Sequence, residues 1–152
     1  MKKIIKDNIG LAIAIIITVI IVGWMWMGIT SLFPDKNKAE KVFNKDHKIL
    51  EEVVSYLEKS NSNNNIYFSE MMSFDKIKNK SFEKAIEELF KQGYYSIGKE
   101  GNTIYFRRWT RGWDFSAGIA YSINGKDKPV IWELRSLEPL SEAKWYYYEQ
   151  NY

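Results

Sequence analysis

Residues 10–33 form an uninterrupted apolar run, with no charged side chain between Asp7 and Asp35. As a helix this stretch would extend roughly 36 Å at about 1.5 Å per residue, enough to cross a bilayer core of about 30 Å. Its many β-branched residues, among them Ile13, Ile15, Ile16, Ile17, Val19 and Ile20, suit a soluble helix poorly. Lipid removes that objection, because backbone amides there must bond within the segment. Trp24 and Trp26 stand toward the far end, where indole rings favour the headgroup boundary, and Pro34 and Asp35 close the run. The expectation is a membrane-spanning anchor over residues 10–33, contacting lipid, with residues 1–9 as its basic flank.

A cleaved signal peptide has a shorter apolar core and a small-residue cleavage site, whereas bulky Trp, Met, Leu and Phe crowd the end of this run. Orientation is balanced more finely. Lys2, Lys3 and Lys6 precede the span, but Lys36, Lys38, Lys41, Lys45 and Lys48 follow it closely. A short basic head leading straight into the first apolar segment behaves as an uncleaved signal anchor. This places residues 35–152 outside the cytoplasm.

Removing the first 34 of 152 residues leaves 118, one domain's worth. Leaving Lys2, Lys3, Lys6 and Asp7 aside, that part carries 19 basic and 18 acidic residues, from chain totals of 22 and 19. So balanced a surface offers no field to match a phosphate backbone, and nucleic acid is excluded as a partner. Cysteine is absent, which removes disulfides, thiolate metal sites and thiol catalysis. The domain is therefore expected to hold by burial alone.

Periodicity supplies the elements. Residues 35–59 read as a helix with Val42, Phe43, Ile49, Leu50, Val53, Val54, Tyr56 and Leu57 at three-to-four spacing. A polar stop over 60–65 and a short strand over 66–69 follow, then a loop over 70–80. Ser81 is expected to cap a second helix over 82–92, with Phe82, Ala85, Ile86, Leu89 and Phe90 as its buried stripe and Gly93 as its left-handed end. The period then falls to two. Segments 94–97 and 103–109 flank a turn at 98–102, and 114–123 is the clearest strand. Phe115, Ala117, Ile119, Tyr121 and Ile123 share one face of it. Ser116, Gly118, Ala120 and Ser122 share the other, whose small residues suggest close approach of a helix or another chain. A charge should be tolerated better at Ser122 than at Ile119 if that second face is solvated. Strands at 130–134 and 145–148 complete the set. The fold class is α+β: a transmembrane helix, then two helices on a four- to five-stranded antiparallel sheet.

Chemistry is sparse. His47 is the single histidine. With Glu51 one helical turn away it could touch one cation, but two ligands leave a site incomplete and the pair reads as a solvated helix face. No nucleophile elbow or glycine-rich phosphate loop occurs. Glu70, Asp114 and Glu133 are the distant carboxylates whose convergence a hydrolase would need. No catalytic residue, cofactor or metal is expected. The remaining clusters are aromatic. Trp145, Tyr146, Tyr147 and Tyr148 suit a final strand, with Trp145 and Tyr147 on one face. Residues 107–113 hold three of the four arginines: Arg107, Arg108 and Arg111, beside Trp109 and Trp113. Arginine forks onto carboxylates and phosphates and stacks on indoles, so these five residues form the candidate binding segment, for a protein or an anionic envelope ligand. In a regular strand Arg107 and Trp109 would face one side and Arg108 the other.

The Lys-, Ile- and Asn-rich composition with little Arg or Pro, joined to the anchor-then-domain layout, resembles the uncharacterised small single-pass membrane-anchored proteins of low-GC Gram-positive bacteria. The resemblance covers the layout of the chain, rests on no diagnostic motif and transfers no functional residue. It implies a single-pass protein of the cell membrane. The expected function is non-catalytic binding at the envelope, with an immunity-type role as one form of it. A structural subunit of a membrane complex and a carboxylate-dependent envelope hydrolase are the alternatives.

Overall fold

A computed structural model describes residues 17–19, 34–59, 65–67, 79–111 and 113–151, with the backbone alone for 65–67 and 111. The chain divides into two compact units, Met1–Phe33 and Pro34–Tyr152. Of the first, residues 17–19 are helical, with Ile17 and Val19 exposed. Among the described residues no helix is long and apolar enough to cross a membrane. The expected span, with Trp24 and Trp26, lies almost entirely outside the described residues.

The second unit is α+β. Helix α1 spans Lys36–Lys59 and α2 spans Lys80–Lys91. The strands are β1 Asn65–Tyr67, β2 Ser96–Glu100, β3 Thr103–Arg111, β4 Phe115–Ser122, β5 Leu134–Pro139 and β6 Trp145–Asn151. They form one antiparallel sheet in the order β1-β2-β3-β4-β6-β5. The five longer strands meet the expected count, and the three-residue β1 adds a sixth at the edge.

Helix α1 begins where Asp35 Oδ1 accepts the Lys38 amide at 2.7 Å, meeting one of the orphan donors of the first turn. Helix α2 is capped by Asn79, not by Ser81. Asn79 Oδ1 accepts from the amides of Ser81 and Phe82, and Ser81 instead donates its hydroxyl to Glu52 of α1. Both residue types cap well, so sequence alone cannot choose between positions two apart. The far end matches expectation: Gly93 takes φ 96°, its amide reaches Phe90 O, and the Tyr94 amide reaches Leu89 O. This pair of bonds is a Schellman ending.

The helices cover one face of the sheet. Ala39, Phe43, Leu50, Val53 and Leu57 of α1 join Phe82, Ile86 and Leu89 of α2 and, from the sheet, Ile97, Ile104, Phe106, Ile119, Trp145 and Tyr147. All five residues of the expected α2 stripe are buried, and Trp145 and Tyr147 share the core face as expected. Tyr147 Oη donates to Pro34 O at 3.1 Å, tying the start of α1 to β6.

On the other face, among the described residues, the cover is a segment of this same chain. Tyr105, Ala120 and Tyr148 are buried there beneath Ile131 and Leu137, because the chain between β4 and β5 crosses this face to reach the sheet's far edge. Thr103 Oγ1 accepts the Val130 amide at 2.9 Å, and Ser122 Oγ donates to Asp127 O at 2.6 Å. Ser122 is consequently buried, so the condition of a solvated face, under which a charge there would be tolerated, is not met. The expected strand at 130–134 is mostly this crossing segment. Its alternation survives, with Ile131 tucked in and Val130 and Trp132 outward. The turn expected over 98–102 narrows to Gly101 and Asn102, since Glu100 pairs with Thr103. Gly101 at φ 54° fills the first central position, where a two-residue hairpin accepts glycine.

Candidate functional site: the back face of the sheet

The arginine-rich segment lies in β3, and a bulge in that strand decides its chemistry. Arg107 pairs with Gly118 and Trp109 with Ala117, leaving Arg108 as the extra residue. A bulge shifts the alternation by one, so Arg107 and Trp109 fall on opposite faces, which corrects the regular-strand expectation. Gly118 makes the bulge fit: a Cβ there would stand 2.1 Å from the Phe106 carbonyl oxygen.

Arg108 turns to the helix side. Its guanidinium lies 4.8 Å from the centre of the Tyr94 ring and packs against Gly93 at the end of α2. Nη1 stands 3.7 Å from Oδ2 of Asp46, a carboxylate only 2 % exposed. Burial pushes the Asp46 carboxyl above its usual range, and the Arg108 charge opposes that shift. Burial likewise raises the Tyr94 phenol, with Asp46 adding to the effect. Arg108 is therefore a structural cation. Trp109 is half-buried, its ring edge-on to Tyr147 at 6.3 Å between centroids.

Arg107 turns to the back face, with its guanidinium 4.7 Å above the Tyr105 ring. The two form one wall of a groove of about 270 Å³, which Glu100, Trp132 and Gln150 help to line. Trp132 is 67 % exposed and Val130 77 %. Glu133, next in the chain, holds φ 50°, an uncommon conformation for a residue other than glycine. Trp113, in the β3–β4 turn, is 98 % exposed. The side chain of Arg111 lies outside the described residues.

Of the five residues in the candidate binding segment, the structure places Arg107 on the back face, Arg108 and Trp109 on the helix side and Trp113 at a turn. Trp132 and Tyr105 are groove residues that the sequence did not single out. Val130, Trp132 and Leu134 carry an alternating apolar pattern, which marks an extended segment without saying which way it faces. Glu70 lies outside the described residues, Asp114 is in the β3–β4 turn and Glu133 in the turn before β5. Among the described residues one group of metal-capable side chains gathers, His47, Glu51 and Glu142, beside Trp145 on the helix side. Compared with protein families, curated proteins and solved structures, the chain matches none of them.

Proposed function

We propose that this chain is a non-catalytic binding module, held at the cell envelope by residues 10–33 with its domain outside the cytoplasm. It recognises a protein partner through the back face of the sheet, in a role that includes self-protection of an immunity type. The observation that supports this reading is the outward placement of Trp132 and Val130 beside the Arg107–Tyr105 pair. Large apolar side chains left in water next to an arginine are the residue types that dominate interface energetics once a partner covers them. Arg107 gives such a surface a preference for a partner bearing an acidic group.

Site-specific photocrosslinking in intact cells tests the reading. A photoreactive residue at Trp132 should give one discrete adduct, reduced several-fold by Arg107→Gln. The same probe at Lys84, exposed on α2, should give none. Equal adducts from both positions, or none from Trp132, would remove the back face as the recognition surface.

A further inference from the structure

The chain's one histidine sits where α1 meets the β5–β6 turn. Its ring makes edge contacts with Phe43 at 4.7 Å and Trp145 at 6.0 Å between centroids, which fix the plane of the imidazole. Nε2 is fully buried and has no hydrogen-bond partner. Two carboxylates nevertheless converge on it from different elements: Glu51 Oε1 at 3.5 Å, one turn along α1, and Glu142 Oε2 at 3.0 Å, from the turn. The three donor atoms all lie within 4.8 Å of one another.

We infer that His47, Glu51 and Glu142 form a binding site for a divalent transition metal of the zinc class. A tetrahedral ion with bonds of about 2.0–2.2 Å holds its ligand atoms about 3.3–3.6 Å apart. The two separations from Nε2 lie at or near that spacing. A cation between the three groups would satisfy the nitrogen and both oxygens together once the half-exposed Glu51 and Glu142 carboxylates, now within 4.8 Å of each other, draw in around it. One imidazole and two carboxylates suit zinc or a neighbouring metal, whereas magnesium and calcium select oxygen alone.

Three protein ligands leave a fourth position open, the arrangement that lets zinc hold an exchangeable ligand. Glu51 and Glu142 are half or more exposed. Glu51 also borders a groove of about 490 Å³ with Glu58, Tyr121 and Trp145. The open position therefore faces solvent beside a concave surface. Because the ligands come from α1 and from the β5–β6 turn, the ion also clamps the two together and stabilises the folded state that binds it.

The test uses the full-length chain without a polyhistidine tag, purified in mild detergent, stripped with chelator and titrated with Zn²⁺ against a chromophoric competitor. One equivalent should bind, with a rise in melting temperature that Mg²⁺ does not reproduce. His47→Gln and Glu142→Gln remove direct ligands, so each should weaken zinc by more than the about 10–100-fold typical of losing an outer partner. Glu40→Gln, which touches the same turn through the Ser141 amide, should leave zinc affinity unchanged. Circular dichroism before metal addition establishes that each variant is folded. Absence of stoichiometric binding, or equal zinc affinity in wild type and the His47→Gln/Glu142→Gln double variant, overturns the site. A melting temperature lowered by Glu142→Gln but indifferent to zinc does so too, leaving a plain ion pair between helix and turn.

Discussion

Arg108 and Asp46 meet at 3.7 Å in an environment that leaves the carboxylate 2 % of its surface. Removing the cation would leave that carboxylate desolvated and without its counter-charge, a change that costs about 3–5 kcal/mol in comparable buried pairs. Arg108→Met should lower stability by an amount of that order in urea unfolding, and Asp46→Asn placed on top should recover part of the loss. Additive effects of the two substitutions would show that the pair does not couple. Arg107→Gln, on the other face, should cost less than about 1 kcal/mol, since its guanidinium lies over a ring at the edge of a groove. The sequence carries a trace of this arrangement. Ala39, Phe43, Asp46, Leu50, Val53 and Leu57 follow one helical stripe, and a carboxylate at a core position requires a partner. Nothing local says that the partner is Arg108 and not Arg107, because that choice belongs to the strand. Separation in sequence likewise hides Glu142 from His47.

The strand makes the choice through its bulge, and the bulge depends on Gly118. Adding a Cβ there forces it to 2.1 Å from the Phe106 oxygen and 3.1 Å from the Arg107 Cα, both backbone atoms with little freedom to yield. Gly118→Ala should therefore destabilise by about 1–3 kcal/mol or more, as overpacking does. It should also weaken the Asp46–Arg108 coupling, which a double-mutant cycle in that background measures directly. A wild-type melt for Gly118→Ala would mean that β3 and β4 can pair without this close approach. Ser122 makes a second element-scale case. Its hydroxyl is buried in a network with Asn102, Asn124 and Asp127 that pins the start of the crossing segment. Ser122→Asp should then destabilise by more than about 2 kcal/mol, approaching Ile119→Asp, where an apolar site receives the charge. The two helices and β4 were readable because one buried face imposes a period of 3.6 or 2. The crossing segment was not, since covering the back face is decided by β5 lying beyond β6, a matter of topology.

At the scale of the whole chain, the strand order places β6 between β4 and β5, so the sheet is incomplete until the last strand is made. Its tyrosines serve both faces: Tyr147 packs under α1, while Tyr148 closes the cluster on the back. A chain ending after Lys144 should lose cooperative unfolding altogether. The domain therefore closes only once β6 is in place, and the apolar run lies at the other end of the chain. This gives the anchor reading a direct consequence. The product should stay in the membrane fraction through alkaline carbonate extraction at its full mass, because an uncharged run of this length has no favourable aqueous state. A soluble product beginning near residue 30 would show processing in place of anchoring. The side on which the domain lies follows from a second measurement, made clean by the absence of native cysteine. Lys84 is exposed on α2, away from the buried stripe, so Lys84→Cys should leave the fold intact and present one thiol. An impermeant maleimide should label it in intact cells to the same extent as after lysis. Labelling that requires lysis would place the domain in the cytoplasm, where the back face would have to find its partner on the inner side of the membrane.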